Sequence, residues 1–315
     1  MKTVILDSAT LGEDIDLTPI YRTGEVEEYK STAPSELGER IKDADTIIVN
    51  KIKLGENELS GAKRLKLICV TATGYDNIDT AFCQGNGIAL CNVPAYSTDS
   101  VSQVSAAMAL SLVCRLKEYS DFVRSGEYSA SGLANRLTPV YREISSMTWG
   151  IVGGGAIGSR VAEAATALGA RVLMCRRQKD GRYENAHIDC LCERSDIISL
   201  HVPLTDETRN LINRERIGRM KPTAILINTA RGAVVDEEAL AEAVEGEKIG
   251  GIGVDVYSSE PFSAEHPFSR IMNRPNVILT PHMAWGAYEA RKRCVSIIAN
   301  NIYCFYSQKS INRIV

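Results

Sequence analysis

Short apolar runs recur along the whole chain, and stretches with helical spacing separate each run from the next. The runs in the first third are TVILD (3–7), DTIIV (45–49), KLICV (66–70) and IALCN (88–92). Segments such as PSELGERIKDA lie between them and carry apolar residues at the spacing of an amphipathic helix. This alternation predicts parallel strands that are joined by crossover helices.

A second set of apolar runs follows in the rest of the chain. Its members are TWGIV (148–152), RVLMC (171–175), DIISLH (196–201), AILIN (224–228), GIGVDV (251–256) and VILTP (277–281). The 315 residues are enough for two ordinary domains. The two sets therefore predict an α/β fold with two units, one in each half of the chain.

A long segment and an irregular one separate the two sets of strands. Residues 97–119 have the composition of one long helix, with Ser97 or Thr98 as its cap. Such a helix would serve either as ordinary packing or as a spine between the units. Residues 120–145 contain Pro139 and many polar side chains, so we expect an arm or a linker there.

The C-terminal segment 287–306 has the pattern of a second long amphipathic helix. We expect this helix to return to the first unit, which makes that unit discontinuous. The predicted domains are 1–96 with 288–315 for the first unit and 97–287 for the second.

The composition narrows the class of protein. With 36 Lys and Arg against 39 Asp and Glu, the net charge is −3, so the chain offers no basic field for nucleic acid. The start MKTVILD lacks the pattern of a signal peptide, and no apolar run reaches the roughly 18 residues of a membrane span. Nine scattered cysteines indicate reduced thiols, and Cys190 and Cys192 form a lone C-x-C. We therefore expect a cytoplasmic protein without a metal site or a membrane partner.

The segment GIVGGGAIG at 150–158 contains the pattern G-x-G-x-x-G. The apolar run TWGIV leads directly into Gly153, Gly155 and Gly158, and a helical stretch follows. In that setting the first glycine permits a tight turn, and the second lets the backbone approach a pyrophosphate. The third allows close helix packing, while the helix N-terminus attracts phosphate. A dinucleotide site is the prediction, and a glycine turn without a ligand is the alternative.

Two arginines stand where the choice of dinucleotide is made. An NAD site normally has Asp or Glu at the end of the next strand, to bind the ribose 2′-hydroxyl. Here Arg176 lies 18 residues beyond Gly158, and Arg177 follows it. Guanidinium groups favour a 2′-phosphate, so NADP(H) is preferred over NAD(H). The alternative is a pair of solvated arginines in a protein that accepts NAD through other contacts.

Histidine is the side chain best suited to exchange a proton with an alcohol oxygen near neutral pH. The chain has four. His187 and His266 lie in polar stretches, and His201 ends a strand where packing, cofactor lining and catalysis are all open roles. His282 follows the run VILTP, which places it at the carboxyl edge of a sheet, where α/β proteins bind ligands. His282 is therefore the candidate acid/base, and a satisfied structural histidine is the alternative.

Further charged residues follow neighbouring strands. Arg231 comes just after AILIN, where a cation would hold a carboxylate and polarise a carbonyl oxygen. Glu260 comes just after GIGVDV, which itself contains Asp255, and a carboxylate orients an imidazole. Arg231, Glu260 and His282 are thus predicted to converge at three strand ends.

These segments carry a family resemblance. INTARGAVVDEEAL, GVDVYSSEP and TPHMAW resemble the signatures of the D-isomer-specific 2-hydroxyacid dehydrogenases. VTATGYDNIDT (70–80), NVPAYSTDSVSQ (92–103) and HVPLTDETRNLIN (201–213) are similar to further segments of that family. The resemblance covers nearly the whole chain and is weakest in 120–145.

The resemblance implies an enzyme that moves a hydride between NAD(P)H and C2 of a small D-2-hydroxy acid or 2-keto acid. Its fold would be two Rossmann- or flavodoxin-like domains with parallel sheets around a central cleft, with an arm at 120–145 that helps form a homodimer. His282 would be the acid/base, Glu260 its partner and Arg231 the cation that orients substrate. Backbone N–H groups of Thr73 and Gly74 would also bind substrate. The cofactor residues would be Thr98, Gly153, Gly155, Ala156, Ile157, Gly158, Arg176, Arg177, His201, Val202, Pro203, Thr229, Ala230 and Asp255.

Within the family, LDSATLGEDIDLTPI and VNKIKL resemble the glycerate dehydrogenase and hydroxypyruvate (glyoxylate) reductase branch. One alternative is a D-lactate or other D-2-hydroxyacid dehydrogenase. The other is a dinucleotide-sensing protein like the C-terminal-binding-protein corepressors. Two residues depart from the family pattern: Arg176 replaces the usual acid, and Gln103 stands where Glu is common.

Overall fold

Parallel strands form one sheet in each of two units of the chain. The computed structural model describes residues 1–177 and 181–315; one unit is Met1–Ser97 with Gly286–Val315, and the other is Thr98–Trp285. The strands are β1 Lys2–Ile5, β2 Glu25–Glu28, β3 Thr46–Val49, β4 Leu67–Val70, β5 Ala89–Cys91, β6 Thr148–Val152, β7 Arg171–Cys175, β8 Glu184–Asn185, β9 Ile197–Leu200, β10 Ile225–Asn228, β11 Gly251–Val254 and β12 Val277–Leu279. The α-helices are α1 Thr18–Tyr21, α2 Pro34–Ile41, α3 Glu56–Leu59, α4 Thr80–Gly85, α5 Thr98–Val113, α6 Leu116–Arg124, α7 Glu127–Ser131, α8 Ala156–Ala167, α9 Ile188–Arg194, α10 Arg214–Arg219, α11 Glu237–Glu245 and α12 Tyr288–Tyr306. The predicted α/β class with parallel sheets is confirmed.

The sheet of the first unit has the order β2-β1-β3-β4-β5, with parallel pairing throughout the described strands. This is the order of flavodoxin-like sheets. Every residue of β3 and β4 is buried, because both faces of a central parallel strand are covered. Strand β2 was not predicted from the sequence, because its residues EVEE lie at the edge of the sheet and form no apolar run.

The sheet of the second unit has the order β12-β11-β10-β9-β6-β7-β8, again parallel in the strands described. The chain runs outward from β6 in one direction to β8 and then returns to β9 on the other side. The strand order therefore reverses between β6 and β9, as in a Rossmann fold. Ligands bind outside the carboxyl ends of the strands at such a switch point.

The prediction of one helix over 97–119 is wrong. Helix α5 ends at Val113, and α6 begins at Leu116. Between them Arg115 has a φ of 54°, a left-handed conformation that a continuous helix cannot contain. The Arg115 guanidinium pairs with the Glu118 carboxylate at 2.9 Å, in the first turn of the new helix.

The segment that follows this break is more ordered at its start than the sequence predicts. Helices α6 and α7 extend to Ser131, and beyond them irregular chain leads to β6. Several apolar side chains of the segment are exposed, among them Leu133, Leu137 and Val140.

In the ranges that the structure describes, no helix has both the length and the apolar character needed to cross a bilayer.

Candidate active site

The glycine loop connects β6 to α8 at the switch point. Gly153 has a φ of 106°, and a Cβ atom added there would lie 2.5 Å from the carbonyl oxygen of His201. A Cβ on Gly158 would lie 2.0 Å from the carbonyl oxygen of Gly153. Only glycine fits both contacts, because the loop turns sharply and the helix packs directly on it. These are the roles that the motif assigns to its first and third glycines.

The second glycine of the motif faces open space. A Cβ on Gly155 would meet no heavy atom of the described residues within 4 Å. Gly155 is the N-cap of the 12-residue helix α8, and Ala156 and Ile157 form its first turn. The first N–H groups of a helix have no intrahelical partner and attract anions. The loop therefore fits the pyrophosphate of a dinucleotide.

The two arginines that follow β7 have different surroundings. The side chain of Arg176 lies against the glycine loop, since a Cβ on Gly154 would be 2.6 Å from its Cδ atom. Arg177 forms an ion pair with Glu207, and both side chains are largely exposed. Glu207 lies in the loop after β9, and nothing in the sequence indicated that it would pair with Arg177. Its carboxylate offsets part of the positive charge at the end of β7.

His201 is neutral at ordinary pH. Its Nε2 atom lies 3.0 Å from the hydroxyl oxygen of Ser199, which accepts a hydrogen bond from the Trp149 indole at 3.0 Å. Its Nδ1 atom is buried without a hydrogen-bond partner among the described residues. Burial lowers the pKa of His201 to about 3. An imidazole that stays neutral near pH 7 and binds a second proton so weakly is a poor acid/base, which favours the lining role over the catalytic one.

The chain after β9 forms one wall beside the glycine loop. The N–H of His201 donates to the carbonyl of Val152 at 2.7 Å, and this bond joins β9 to the end of β6. Val202 places its Cγ1 atom 3.1 Å from the point where a Gly153 Cβ would stand. The carbonyl of Pro203 accepts a hydrogen bond from the Thr208 hydroxyl at 2.6 Å. His201, Val202 and Pro203 thus follow the strand that borders the switch point, where the sequence analysis placed cofactor contacts.

His282 and Glu260 form a hydrogen-bonded pair. The Nδ1 atom of His282 lies 2.6 Å from Oε2 of Glu260, and the side chains are 23% and 31% exposed. The other carboxylate oxygen, Oε1, accepts a hydrogen bond from the Tyr257 N–H at 3.0 Å. A carboxylate that is held at both oxygens fixes the orientation of the imidazole ring.

The backbone of His282 is strained, and Asp255 holds it. His282 has a φ of 53°, a left-handed conformation that is uncommon for residues other than glycine. The buried carboxylate of Asp255 accepts hydrogen bonds from the Thr280 hydroxyl at 2.5 Å, the Met283 N–H at 2.9 Å and the Ala284 N–H at 2.8 Å. Because these donors lie on both sides of His282, the turn is fixed. The expected contact of Asp255 with the nicotinamide stays a prediction.

Arg231 follows β10 in an extended conformation. The buried side chain of Asn228 braces this turn: its amide donates to the Arg231 carbonyl at 2.9 Å, and its oxygen accepts from the Ala230 N–H at 3.0 Å. Thr229 is also held, by the hydroxyl of Ser105 at 2.9 Å. The sequence analysis did not single out Asn228, although it belongs to the quoted segment INTARG.

The turn that carries Arg231 touches the turn that carries Glu260. A Cβ on Gly232 would lie 2.0 Å from the carbonyl carbon of Tyr257 and 2.2 Å from the nitrogen of Ser258. Strands β10, β11 and β12 are neighbours in the sheet, so Arg231, Glu260 and His282 follow three adjacent strands. The geometry therefore brings a guanidinium, a carboxylate and an imidazole to one edge of the second unit.

The remaining predicted residues belong to helix α5 and to the first unit. Thr98 begins α5, and Gln103 is exposed on the same helix. In the first unit the hydroxyl of Thr73 donates to the Val93 carbonyl at 2.9 Å, and the Thr73 carbonyl accepts from the Asn92 amide at 2.7 Å. These bonds hold the chain just before Gly74. The substrate role of Thr73 and Gly74 stays a prediction.

Comparison with known proteins gives a consistent result. Residues 106–284 match the family profile described as D-isomer specific 2-hydroxyacid dehydrogenase, NAD binding domain. The chain is 36% identical to the glycerate dehydrogenase of Methylorubrum extorquens over 99% of this chain and 98% of the relative. It is 32% identical to the hydroxypyruvate reductase of Blautia hydrogenotrophica over 99% of both. The crystal structure of Aquifex aeolicus D-lactate dehydrogenase with NAD and lactic acid superposes with a TM-score of 0.87, at 32% identity over 98% of this chain and 96% of that one.

Proposed function

Because the chain belongs to the D-isomer-specific 2-hydroxyacid dehydrogenase family of NAD(P)-dependent oxidoreductases, we propose that it interconverts hydroxypyruvate and D-glycerate and also reduces glyoxylate. The relatives named glycerate dehydrogenase and hydroxypyruvate reductase cover the chain almost completely, which supports this substrate class. The observation that carries the proposal is the His282–Glu260 pair next to the Arg231 turn.

The chemistry of the proposal follows from the side chains at this edge. When bound, the nicotinamide exchanges a hydride with C2 of the substrate. In reduction, protonated His282 donates a proton from Nε2 to the oxygen on C2, and in oxidation neutral His282 accepts it. Glu260 keeps the ring oriented through Nδ1. Arg231 holds the substrate carboxylate and polarises the carbonyl, which a guanidinium does well because it binds carboxylates in a planar fork.

NADP(H) is the cofactor that the end of β7 favours within this proposal. Two guanidinium groups stand where an NAD site places an acid, and the Arg176 side chain lies beside the glycine loop. An anionic 2′-phosphate gains charge-assisted hydrogen bonds from such groups. The Arg177–Glu207 ion pair works against this preference, so we expect NADH to be used as well.

The proposal includes a homodimer formed by the arm at 120–145. Leu133, Leu137 and Val140 are 68%, 74% and 76% exposed, and they fall within 8 residues of chain (133–140). Contiguous exposed apolar patches mark association surfaces, and these side chains, close together along the chain, are our candidates for such a patch. Leu137→Asp with Val140→Asp should therefore reduce the mass measured by light scattering to that of one chain. An unchanged mass would remove the arm from the interface.

The test of function is an assay of a panel of 2-keto acids with NADH and with NADPH. Consumption of the cofactor is measured as the loss of absorbance at 340 nm. Hydroxypyruvate and glyoxylate should have the highest kcat/KM. A preference for pyruvate would instead indicate a D-lactate dehydrogenase, the activity of the Aquifex aeolicus relative. His282→Ala should lose turnover by about 100- to 10,000-fold while it still binds cofactor. Tight dinucleotide binding without turnover of any keto acid would favour a dinucleotide-sensing protein.

A further inference from the structure

A second carboxylate–imidazole pair lies in the same unit. It joins Glu237, the first residue of α11, to His266 in the loop after β11. Their side chains are 9% and 6% exposed, and Nε2 of His266 lies 3.1 Å from Oε2 of Glu237. A buried carboxylate is costly unless hydrogen bonds satisfy it, so its partners are strongly held in place.

The partner that matters is Ser258. Its N–H donates to Oε1 of Glu237 at 2.9 Å, and its hydroxyl donates to Oε2. Ser258 is the residue after Tyr257, whose N–H holds the Glu260 carboxylate. Glu237 therefore fixes the backbone at the point from which Glu260 is positioned.

His266 binds Glu237 as one defined tautomer. Its Nδ1 atom accepts a hydrogen bond from the Phe268 N–H at 3.2 Å, so its proton lies on Nε2 and points to Glu237. The ring packs against the rings of Tyr257, Phe262 and Phe268, with centroids 6.0, 4.9 and 5.0 Å away. These contacts fill the space behind the loop and limit its movement.

Tyr257 links the Glu260 carboxylate to the turn that carries His282. Its hydroxyl donates to the carbonyl of Thr280 at 2.9 Å, at the start of the His282 turn. Burial raises the pKa of this phenol, so the hydroxyl stays protonated and keeps donating. One residue thus contacts the Glu260 carboxylate through its N–H and the His282 turn through its side chain.

We propose that Glu237 and His266 are positioning residues, which hold Glu260 against His282 through Ser258 and Tyr257. The inference rests on the proposed function, because it gives the pair a role only if His282 and Glu260 act in the reaction. A shift of the acid/base by about 1 Å can reduce turnover about 100-fold, so a remote anchor matters for rate as well as for folding.

The test compares Glu237→Gln with Asp236→Ala. The Gln variant keeps the size of the side chain but replaces one of the two carboxylate oxygens that accept hydrogen bonds from Ser258 and His266. The matched control removes the neighbouring helix cap, since the Asp236 side chain accepts a hydrogen bond from the Ala239 N–H at 3.0 Å at the same helix end. Both should lower the melting temperature. Glu237→Gln alone should reduce kcat by about 10- to 100-fold and change the pH dependence of kcat/KM in the same direction as Glu260→Gln.

The activities of these variants distinguish the positioning role of Glu237 from the proposed function itself. Wild-type kcat and pH dependence in a folded Glu237→Gln variant would overturn the positioning role. If that variant does not fold, Ser258→Ala decides, because it removes one hydroxyl from an exposed residue, and it should show a smaller change of the same kind. Full activity in Ser258→Ala would then overturn the role. If His282→Ala and Glu260→Gln were themselves fully active, the proposed function would fail first.

Discussion

Gly232 and Tyr257 approach so closely that a Cβ atom on the glycine would lie 2.0 Å from the carbonyl carbon of the tyrosine. The contact joins the turns that follow two neighbouring strands, β10 and β11. Arg231 immediately precedes the glycine, and the Tyr257 N–H holds Glu260. The absence of a side chain at Gly232 therefore sets the spacing between Arg231, which we propose binds substrate, and Glu260, the hydrogen-bond partner of His282.

We expect Gly232→Ala to impair both stability and activity. Overpacking of this kind typically costs about 1–3 kcal/mol, and the shift would move Arg231 and Glu260 together. Denaturant unfolding and kcat/KM measure the two effects. Gly218→Ala is the matched control, because a Cβ there would meet no described atom within 4 Å and helix α10 gains up to about 1 kcal/mol from the change. Equal behaviour of the two variants would contradict the close contact.

The glycine loop should separate folding from cofactor binding. Gly155→Ala places a methyl group in open space, so its unfolding free energy should stay within about 0.5 kcal/mol of wild type. Its dinucleotide Kd should rise by about tenfold or more, which is about 1.4 kcal/mol, because the methyl occupies the path of the pyrophosphate. Gly153→Ala, with a φ of 106° and a clash with His201, should instead destabilise the protein. Unchanged cofactor affinity in Gly155→Ala, measured by calorimetry, would place the pyrophosphate elsewhere.

Most of the fold was predictable because central parallel strands are covered on both faces and therefore appear as continuous apolar runs. TIIV in β3 and LICV in β4 are examples. The edge strands β2 and β8 escaped detection since their residues, EVEE and EN, are polar and pair on one side only. The end of α5 was also hidden, because Arg115 is a good helix former that the tertiary structure holds at positive φ.

The site divides in the same way. His282, Glu260 and Arg231 could be proposed because each directly follows an apolar run, and strand ends of a parallel sheet meet at one edge. Their supports could not, because side-chain hydrogen bonds between distant segments leave no periodic pattern. Glu237 and His266 are 29 positions apart, and the sequence around His266 indicates only a polar loop. The structure places His266 in that loop with its side chain buried, since only 6% of it is exposed.

The burial of His201 has a consequence for stability at low pH. Its pKa falls from an ordinary value of about 6.5 to about 3 in the folded protein, so between these values the unfolded state binds the extra proton. The contribution of His201 to stability is therefore complete above about pH 6.5 and is lost as the pH falls toward 3. His201→Gln should remove this loss. The difference in unfolding free energy between the two proteins should then change between pH 6.5 and pH 4, and a constant difference would count against a buried neutral ring.

The Arg177–Glu207 ion pair predicts how cofactor choice can be altered. Exposed pairs of this kind contribute at most about 1 kcal/mol, so Glu207→Gln should improve NADPH affinity relative to NADH by less than about fivefold. Arg177→Ala should shift the preference toward NADH, and both effects should shrink at high salt, which screens exposed charges. Kd values for both dinucleotides at low and high salt measure this. If Arg177→Ala kept the wild-type ratio of the NADPH and NADH Kd values, Arg177 would have no part in cofactor choice, and any preference for NADPH would depend on Arg176.

The order of the second sheet has a bearing on metabolic evolution. The arginines follow β7, on one side of the switch point, whereas the residues proposed for proton transfer follow β10, β11 and β12 on the other side. The residues proposed to select the dinucleotide and those proposed to act on the organic acid therefore lie on opposite sides of one sheet. A lineage could therefore change its preference from NADPH to NADH through a few surface substitutions near β7. The residues proposed to act on the organic acid, after β10, β11 and β12, would stay the same.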